Sequence, residues 1–328
     1  MLNDERDSVT PTRQAAPPPE ISVVVPVYNE EDSVTPLYES IVAALEPTGR
    51  SFEILFVDDG SKDLSIPRAS ALAAKDPRLA IVRFQRNYGQ TAAMHAGIEH
   101  ARGRYIVTMD GDLQNDPADV PMMLEELEDG NDLVVGWRVN RQDKFLSRKL
   151  PSKMANWLIG KATGLPIRDN GCSLKVYRAD VIQKVPLYSD MHRFIPAMTI
   201  PMGARIAEVG VRHHARRFGE SKYGLSRIFK VLLDLMVVKT LLLFSRRPLA
   251  SFTNASLVAA LCALLAAIVT RPGAEGSHVV QMTVAGLLAV VAVFLFLCGL
   301  IATLAFRPDP SARGTAPGAG PSSPSAEI

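Results

Sequence analysis

The chain has 328 residues, 47% hydrophobic and 21% charged, which excludes a disordered or collagen-like polymer and suits one or two domains with a sizeable core. A formal net charge of +2 gives no reason to expect a nucleic-acid binder. The total hides an uneven distribution, because residues 1–204 carry 23 basic and 28 acidic side chains, residues 205–248 carry 10 and 3, and residues 249–328 carry 3 and 3.

Residues 1–20 contain Pro11, Pro17, Pro18 and Pro19 and no apolar run, so they read as a flexible polar leader, not a signal peptide. Three cysteines, two of them in apolar runs, are too few for a disulfide framework and fit a reducing compartment. From residue 21 to about 135, short apolar runs at 21–27, 52–57, 79–84, 105–109 and 133–135 alternate with amphipathic stretches at 30–45, 64–74, 90–101 and 117–127. Strand–helix alternation predicts an α/β domain with a mostly parallel sheet, whose ligands bind at the carboxyl ends of the strands. Residues 224–244 read as a helix with Arg227, Lys230 and Asp234 on one narrow face; the pattern suits equally a segment lying in a membrane interface and a helix packed on the sheet.

Two windows carry no charge, 249–270 and 279–306. Each is long enough to cross a bilayer core as a helix, and an eight-residue link makes them an antiparallel transmembrane hairpin. Arg246 and Arg247 precede the first and Arg307 follows the second, which by the positive-inside rule puts the body and both termini on the cytoplasmic face of a cell inner membrane. Residues 307–328, rich in Pro, Gly, Ser and Ala, read as a disordered tail.

No G-x-G-x-x-G follows the first strand and no G-x-x-x-x-G-K-[ST] occurs, so a dinucleotide fold and a P-loop enzyme lose their main support. Acidic residues follow the strands instead: Glu30 and Glu31 after the first, Asp58 and Asp59 after the second, Asp110 and Asp112 after the fourth. Asp110 and Asp112, one residue apart at a strand end, can offer hard oxygen ligands to Mg²⁺ or Mn²⁺. A metal between these carboxylates and an anionic donor reconciles their charges.

Val24–Glu31, the Val-Asp-Asp-Gly-Ser run at 57–61, Arg86-Asn87-Tyr88-Gly89-Gln90, residues 110–117 and residues 214–223 together resemble a family 2 glycosyltransferase of the polyprenyl-phosphate type. That group includes dolichyl-phosphate mannosyltransferase, bactoprenol glucosyltransferase and undecaprenyl-phosphate formamido-arabinose transferase. The resemblance implies a GT-A domain at 21–223, juxtamembrane helices at 224–248 and inverting transfer of one sugar from a nucleotide diphosphate sugar to polyprenyl (undecaprenyl or dolichyl) phosphate. By matching position, Pro26, Tyr28, Glu30, Asp58 and Asp59 would form the nucleotide-sugar pocket, and Asp110, Asp112 and Gln114 would hold the metal and the diphosphate.

The resemblance places the acceptor phosphate on Arg138 and Arg148, in a stretch where residues 138–161 hold seven basic side chains and one acid; Arg can chelate phosphate through paired N–H donors. Asp169 matches the loop where related enzymes with hydroxyl acceptors place a base, so Asp112, Asp169 and Arg138 form the expected catalytic set. A phosphate acceptor is already anionic near pH 7, and Asp169 can then orient a substrate instead. Arg217, Ser221 and Lys222 match a loop closing over the phosphates.

The neighbouring His213 and His214 suggest no metal site, since adjacent strand positions point oppositely and no third ligand follows. The Arg-Asn-Tyr-Gly-Gln run and the Gly-Glu-Ser-Lys-Tyr loop resemble most the formamido-arabinose group, without fixing the sugar. Two alternatives stay open. One is a processive polysaccharide synthase, although no Gln-x-x-Arg-Trp run is present; the other is a catalytically silent membrane sugar-binding scaffold. The hairpin could also pack against copies of itself as a homo-oligomer.

Overall fold

A computed structural model describes residues 17–139, 156–157, 159–161, 163–187, 191–215, 234–240, 248–269 and 275–305. The chain forms two compact units, Met1–Leu242 and Leu243–Ile328.

In the first unit, β1 (Ile21–Val27), β2 (Phe52–Asp58), β3 (Leu79–Arg83), β4 (Tyr105–Thr108), β5 (Leu133–Arg138), β6 (Lys175–Arg178) and β7 (Ile206–Val211) form one sheet of order β3-β2-β1-β4-β6-β5-β7. All neighbouring pairs are parallel except those of β6, which runs antiparallel between β4 and β5. The expected mostly parallel sheet is present, and the antiparallel insertion is an addition to it. β1 and β2 are apolar apart from Ser22, Glu53 and the terminal Asp58, because helices cover both faces, as parallel strands require. On one face Val23, Val25, Phe56 and Val107 pack with Leu37 and Ile41 of α1 (Val34–Leu45) and Met123 and Leu127 of α4 (Val120–Glu128). On the other, Val24, Leu55, Val57 and Ile106 pack with Met94 and Ile98 of α3 (Gln90–His100). Gly97 is what lets α3 come so close, since a Cβ there would collide with Val24. α2 (Ser65–Ala73) follows β2.

The helices hold close to the expected stretches. α1 starts later than residue 30, because residues 30–33 form a turn in which the Glu30 N–H donates to Ser65 Oγ at 2.8 Å. α4 is preceded by a 3₁₀ turn at Pro117–Asp119. Of the expected helix at 224–244, residues 234–240 are described and helical. Leu235 and Val238 pack with Ile159, Met191 and Phe194, while Met236 and Val237 are exposed.

The described residues of the second unit form two helices, Pro248–Val269 and Glu275–Ala305. At 1.5 Å per residue the first is about 33 Å long and the second longer, and both are long and apolar enough to cross a membrane. Gly299 lets them approach, since a Cβ there would lie 2.6 Å from Phe252 Cβ, and Ser256 Oγ donates to the Ala292 carbonyl at 2.7 Å. Their outward faces are apolar: Leu257 is 62% exposed and Ile268 67%.

Candidate active site

The carboxyl ends of β2, β1 and β4 are neighbours, so the acidic loops that follow them converge on one edge. The first two loops are joined by hydrogen bonds. Asn29 N–H donates to Ser61 Oγ at 3.0 Å, Lys62 N–H to Asn29 Oδ1 at 2.9 Å, and Asp59 N–H to the Val27 carbonyl at 2.9 Å. Gly60, at φ 75°, makes the turn possible; a Cβ would lie 2.6 Å from the Arg86 carbonyl carbon.

Asp58 is fully buried, and its Oδ1 accepts from Ser61 N–H at 3.0 Å. Its Oδ2 accepts no hydrogen bond and faces Arg83 Nε at 3.7 Å. Asp59 fixes the turn that leads into α3, accepting from Tyr88 N–H at 2.7 Å and Gly89 N–H at 2.9 Å. A carboxylate suits a helix N-terminus; burial nonetheless pushes its pKa up, against those two N–H groups. Pro26, Tyr28 and Glu30 lie half-buried along the same edge, and Glu30 Oε2 accepts from Ser33 Oγ at 3.0 Å.

The loop after β4 is held from three sides. Asp110 Oδ1 accepts from Gln90 Nε2 at 2.5 Å, and Asp110 N–H donates to Asn115 Oδ1 at 3.1 Å. Asn115 Oδ1 accepts in turn from Ser173 Oγ at 2.8 Å. Asp112 is buried and accepts from Gln114 N–H at 3.2 Å. Gly111 lies against the Pro26 carbonyl, 3.0 Å from where a Cβ would be. Among the described residues, two that are not glycine have positive φ, Asn29 at 53° and Leu113 at 60°, one in each of the facing loops. Backbone strain of this kind gathers at functional sites.

His214 N–H donates to the Gln114 carbonyl at 2.9 Å, and Gln114 Nε2 reaches the His214 carbonyl at 3.4 Å. The His214 Nε2 lies within hydrogen-bonding distance of Asp116 Oδ2, at 3.1 Å, so a half-buried carboxylate holds this ring. Asp116 has its pKa lowered: burial opposes this, and the Ala118 N–H, His214 and Arg212 outweigh it.

Arg138 ends β5 and Asp169 begins the loop leading to β6. Nε donates to Oδ2 at 2.6 Å and Nη2 to Oδ1 at 2.8 Å, with the side chains 12% and 9% exposed. Burial would favour the neutral guanidine, but the carboxylate holds the Arg138 pKa raised. Cys172, in the same loop, has its thiol pushed up to about 11 by burial, which fits a packing residue better than a nucleophile.

Of the sequence-based candidates, Pro26, Tyr28, Glu30, Asp58, Asp59, Asp110, Asp112, Gln114, Arg138 and Asp169 lie at these loop ends. Arg148, Arg217, Ser221 and Lys222 lie outside the described residues. Sequence reasoning assigned no separate role to Gln90, Asn115 or Ser173, which hold the loop of Asp110. The Arg-Asn-Tyr-Gly-Gln run was the only visible signal for the first of them.

The glycosyl transferase family 2 model matches residues 22–185. Dodecaprenyl-phosphate galacturonate synthase of Rhizobium johnstonii is 52% identical over 233 residues, covering 70% of this chain and 69% of that protein. Undecaprenyl-phosphate 4-deoxy-4-formamido-L-arabinose transferase of Edwardsiella ictaluri is 38% identical over 221 residues, covering 67% and 68%. Among solved structures, glucosyl-3-phosphoglycerate synthase from Mycobacterium tuberculosis, in complex with Mn²⁺, UDP and phosphoglyceric acid, shares the fold at a TM-score of 0.54 and 19% identity, covering 70% of this chain and 78% of that one.

Proposed function

We infer the reaction from one premise, that this chain belongs to glycosyl transferase family 2. It transfers a single sugar from a nucleotide sugar to a polyprenyl phosphate with inversion at the anomeric carbon. The observation that carries the reading is the convergence of Asp58, Asp59, Asp110 and Asp112 on one strand edge in a chain so close to two polyprenyl-phosphate enzymes.

The Oδ2 of buried Asp58, which accepts no hydrogen bond, suits a donor N–H or hydroxyl of the nucleoside, beside Asp59, Pro26, Tyr28 and Glu30. Among the described residues, no cluster of three or more His, Cys, Asp or Glu could hold an ion alone. That fits Mg²⁺ or Mn²⁺ in a nucleotide site, where one or two carboxylates and the substrate phosphates share the coordination. Asp110 and Asp112, with Gln114, would hold it. When bound, the ion neutralises charge gathering on the departing nucleoside diphosphate.

The acceptor phosphate oxygen attacks the anomeric carbon, a C–O bond forms, and the bond to the nucleoside diphosphate breaks with its electrons leaving on that group. An anionic nucleophile needs no strong base. Asp169, with both oxygens engaged by Arg138, suits orienting that guanidinium better than taking a proton. Nη1 of Arg138 makes no bond in this pair and can meet the acceptor phosphate, with Arg148, Arg217, Ser221 and Lys222 as further contacts. Holding both substrates in line supplies most of the acceleration.

The two apolar helices embed as a hairpin in the bacterial inner membrane, with the catalytic unit cytoplasmic, where a polyprenyl chain also resides. Their exposed Leu, Val, Ile and Phe side chains favour lipid over water. For the sugar, the 52% identical galacturonate synthase supports a nucleotide-activated hexuronate ahead of formamido-arabinose. The test is a panel of nucleotide sugars with undecaprenyl phosphate and Mg²⁺ or Mn²⁺, followed by mass analysis of the lipid. One added sugar is expected; a ladder would indicate a processive synthase, and no product from any donor a silent scaffold.

A further inference from the structure

β6 is wedged antiparallel between β4 and β5, so Lys175, its first residue, sits level with Thr108 of β4 and Val135 of β5. Two residues beyond Thr108 is Asp110, and three beyond Val135 is Arg138. Lys175 is therefore placed between the strand ends that carry the proposed donor and acceptor groups. It is 2% exposed. Its Nζ donates to the carbonyl of Cys172, in the loop that Asp169 begins.

An ammonium buried in a sheet interior is unfavourable unless its charge is answered. A methionine would fill the same space between Thr108 and Val135 without that penalty. Burial pushes the Lys175 pKa down, while Asp110 and Asp169 oppose that shift and Arg138 reinforces it. Level with Thr108, two residues before Asp110, and bonded to the loop that carries Asp169, Lys175 lies beneath both carboxylates.

We propose that Lys175 is a positioning residue: its ammonium answers the carboxylates of Asp110 and Asp169 from beneath the site, tempering their grip on a cation and favouring the approach of a phosphate. The inference rests on the proposed roles of Asp110 and Arg138. It makes a prediction of opposite sign for the two ligands, because removing a positive charge strengthens cation binding and weakens anion binding. A merely structural role would weaken both together.

The full chain in detergent is compared as wild type, Lys175→Met, Lys175→Gln and Lys175→Arg. Binding of Mn²⁺, alone and with UDP at fixed concentration, is read from the free-ion EPR signal, and the KM for undecaprenyl phosphate is measured at fixed donor. For the Met and Gln variants the Mn²⁺ Kd is expected to fall by roughly threefold or more and the KM to rise by roughly threefold or more. The Gln side chain can still donate to Cys172, so a matching result from both assigns the effect to charge. Lys175→Arg is expected to stay near wild type on both readouts. Both constants weakening together, neither changing, or Lys175→Arg behaving like Lys175→Met overturns the proposal. If neither neutral variant folds, the Arg variant decides it. Wild-type protein that binds no Mn²⁺ even with UDP present would sink the metal reading instead, and the acceptor KM would still decide Lys175.

Discussion

Arg138 and Asp169 hold each other by two parallel hydrogen bonds, 2.6 and 2.8 Å long, across the mouth between β5 and the loop before β6. Gly171 covers the pair, 3.3 Å from Arg138 Nη2 where a Cβ would be. A planar guanidinium fixed along one edge keeps its other edge pre-oriented, and lysine has no equivalent geometry.

Removing either partner breaks a largely buried, doubly hydrogen-bonded ion pair, which costs about 3–5 kcal/mol. Asp169→Ala and Arg138→Ala are therefore expected to lower Tm and to reduce kcat/KM by roughly 100-fold or more. Arg138→Lys keeps the charge, so it should raise the KM for polyprenyl phosphate more than it lowers Tm. The double change Arg138→Met with Asp169→Leu should recover much of the Tm without restoring transfer. Thermal unfolding and initial rates on the same samples check this; full activity in the double variant would dismiss the pair from the site.

Gln90 reaches from the first turn of α3 to Asp110 Oδ1 at 2.5 Å, fixing one carboxylate oxygen and leaving the other for a ligand. Gln90→Leu removes the donor at similar volume. It is expected to cut kcat about tenfold and to raise the Mn²⁺ concentration for half-maximal rate, with Tm within roughly 2 °C of wild type, because the bond is one part-buried hydrogen bond of about 1 kcal/mol. Metal titration of the rate, with Tm alongside, separates this from general damage.

Strands β1 to β5 were legible as short apolar runs, β1 and β2 most plainly because helices bury both their faces. β6 and β7 were not. Lys-Val-Tyr-Arg is four residues with charged ends, and Ile-Ala-Glu-Val-Gly-Val is a half-buried edge strand; both owe their state to long-range pairing, which no local pattern carries. The same gap hid the relations within the site. Arg138 and Asp169 are 31 positions apart, so nothing in the local sequence pairs them. Gln90 and Lys175 acquire meaning only from strand order, which brings α3 and β6 against the end of β4.

Acid should weaken the fold through a defined set of carboxylates. Asp116 has a lowered pKa, as do Asp76, against burial, through Arg78 and Tyr38, and Glu128, chiefly through Arg50. A carboxyl whose pKa is depressed on folding stabilises above its unfolded value, about 4, and loses that contribution as pH falls through the folded value. Tm is thus expected to be flat from about pH 7 to 5 and to fall below about pH 4. Asp116→Asn should lower Tm at pH 7 and reduce the drop between pH 5 and 3. A variant whose acid loss equals that of wild type would remove Asp116 from the set.

Leu113 holds φ at 60° in the loop between Asp112 and Gln114. An L-residue with a Cβ pays about 1–2 kcal/mol in that region and glycine none. Elsewhere glycine is the less stable choice than alanine by about 0.5–1 kcal/mol. The order should invert here: Leu113→Gly is expected to be more stable than Leu113→Ala by about 1 kcal/mol, although both lose the same packing of the leucine side chain against the core. Comparing the two small variants cancels that packing loss and isolates the backbone. Activity should follow the opposite order. The strained turn fixes Asp112 and Gln114 relative to Asp110, and glycine loosens it, so Leu113→Gly should show the lower kcat and the weaker Mn²⁺ dependence. Paired Tm and metal-titrated rates decide the matter. An alanine variant at least as stable as the glycine variant would mean that the loop carries no backbone strain worth relieving.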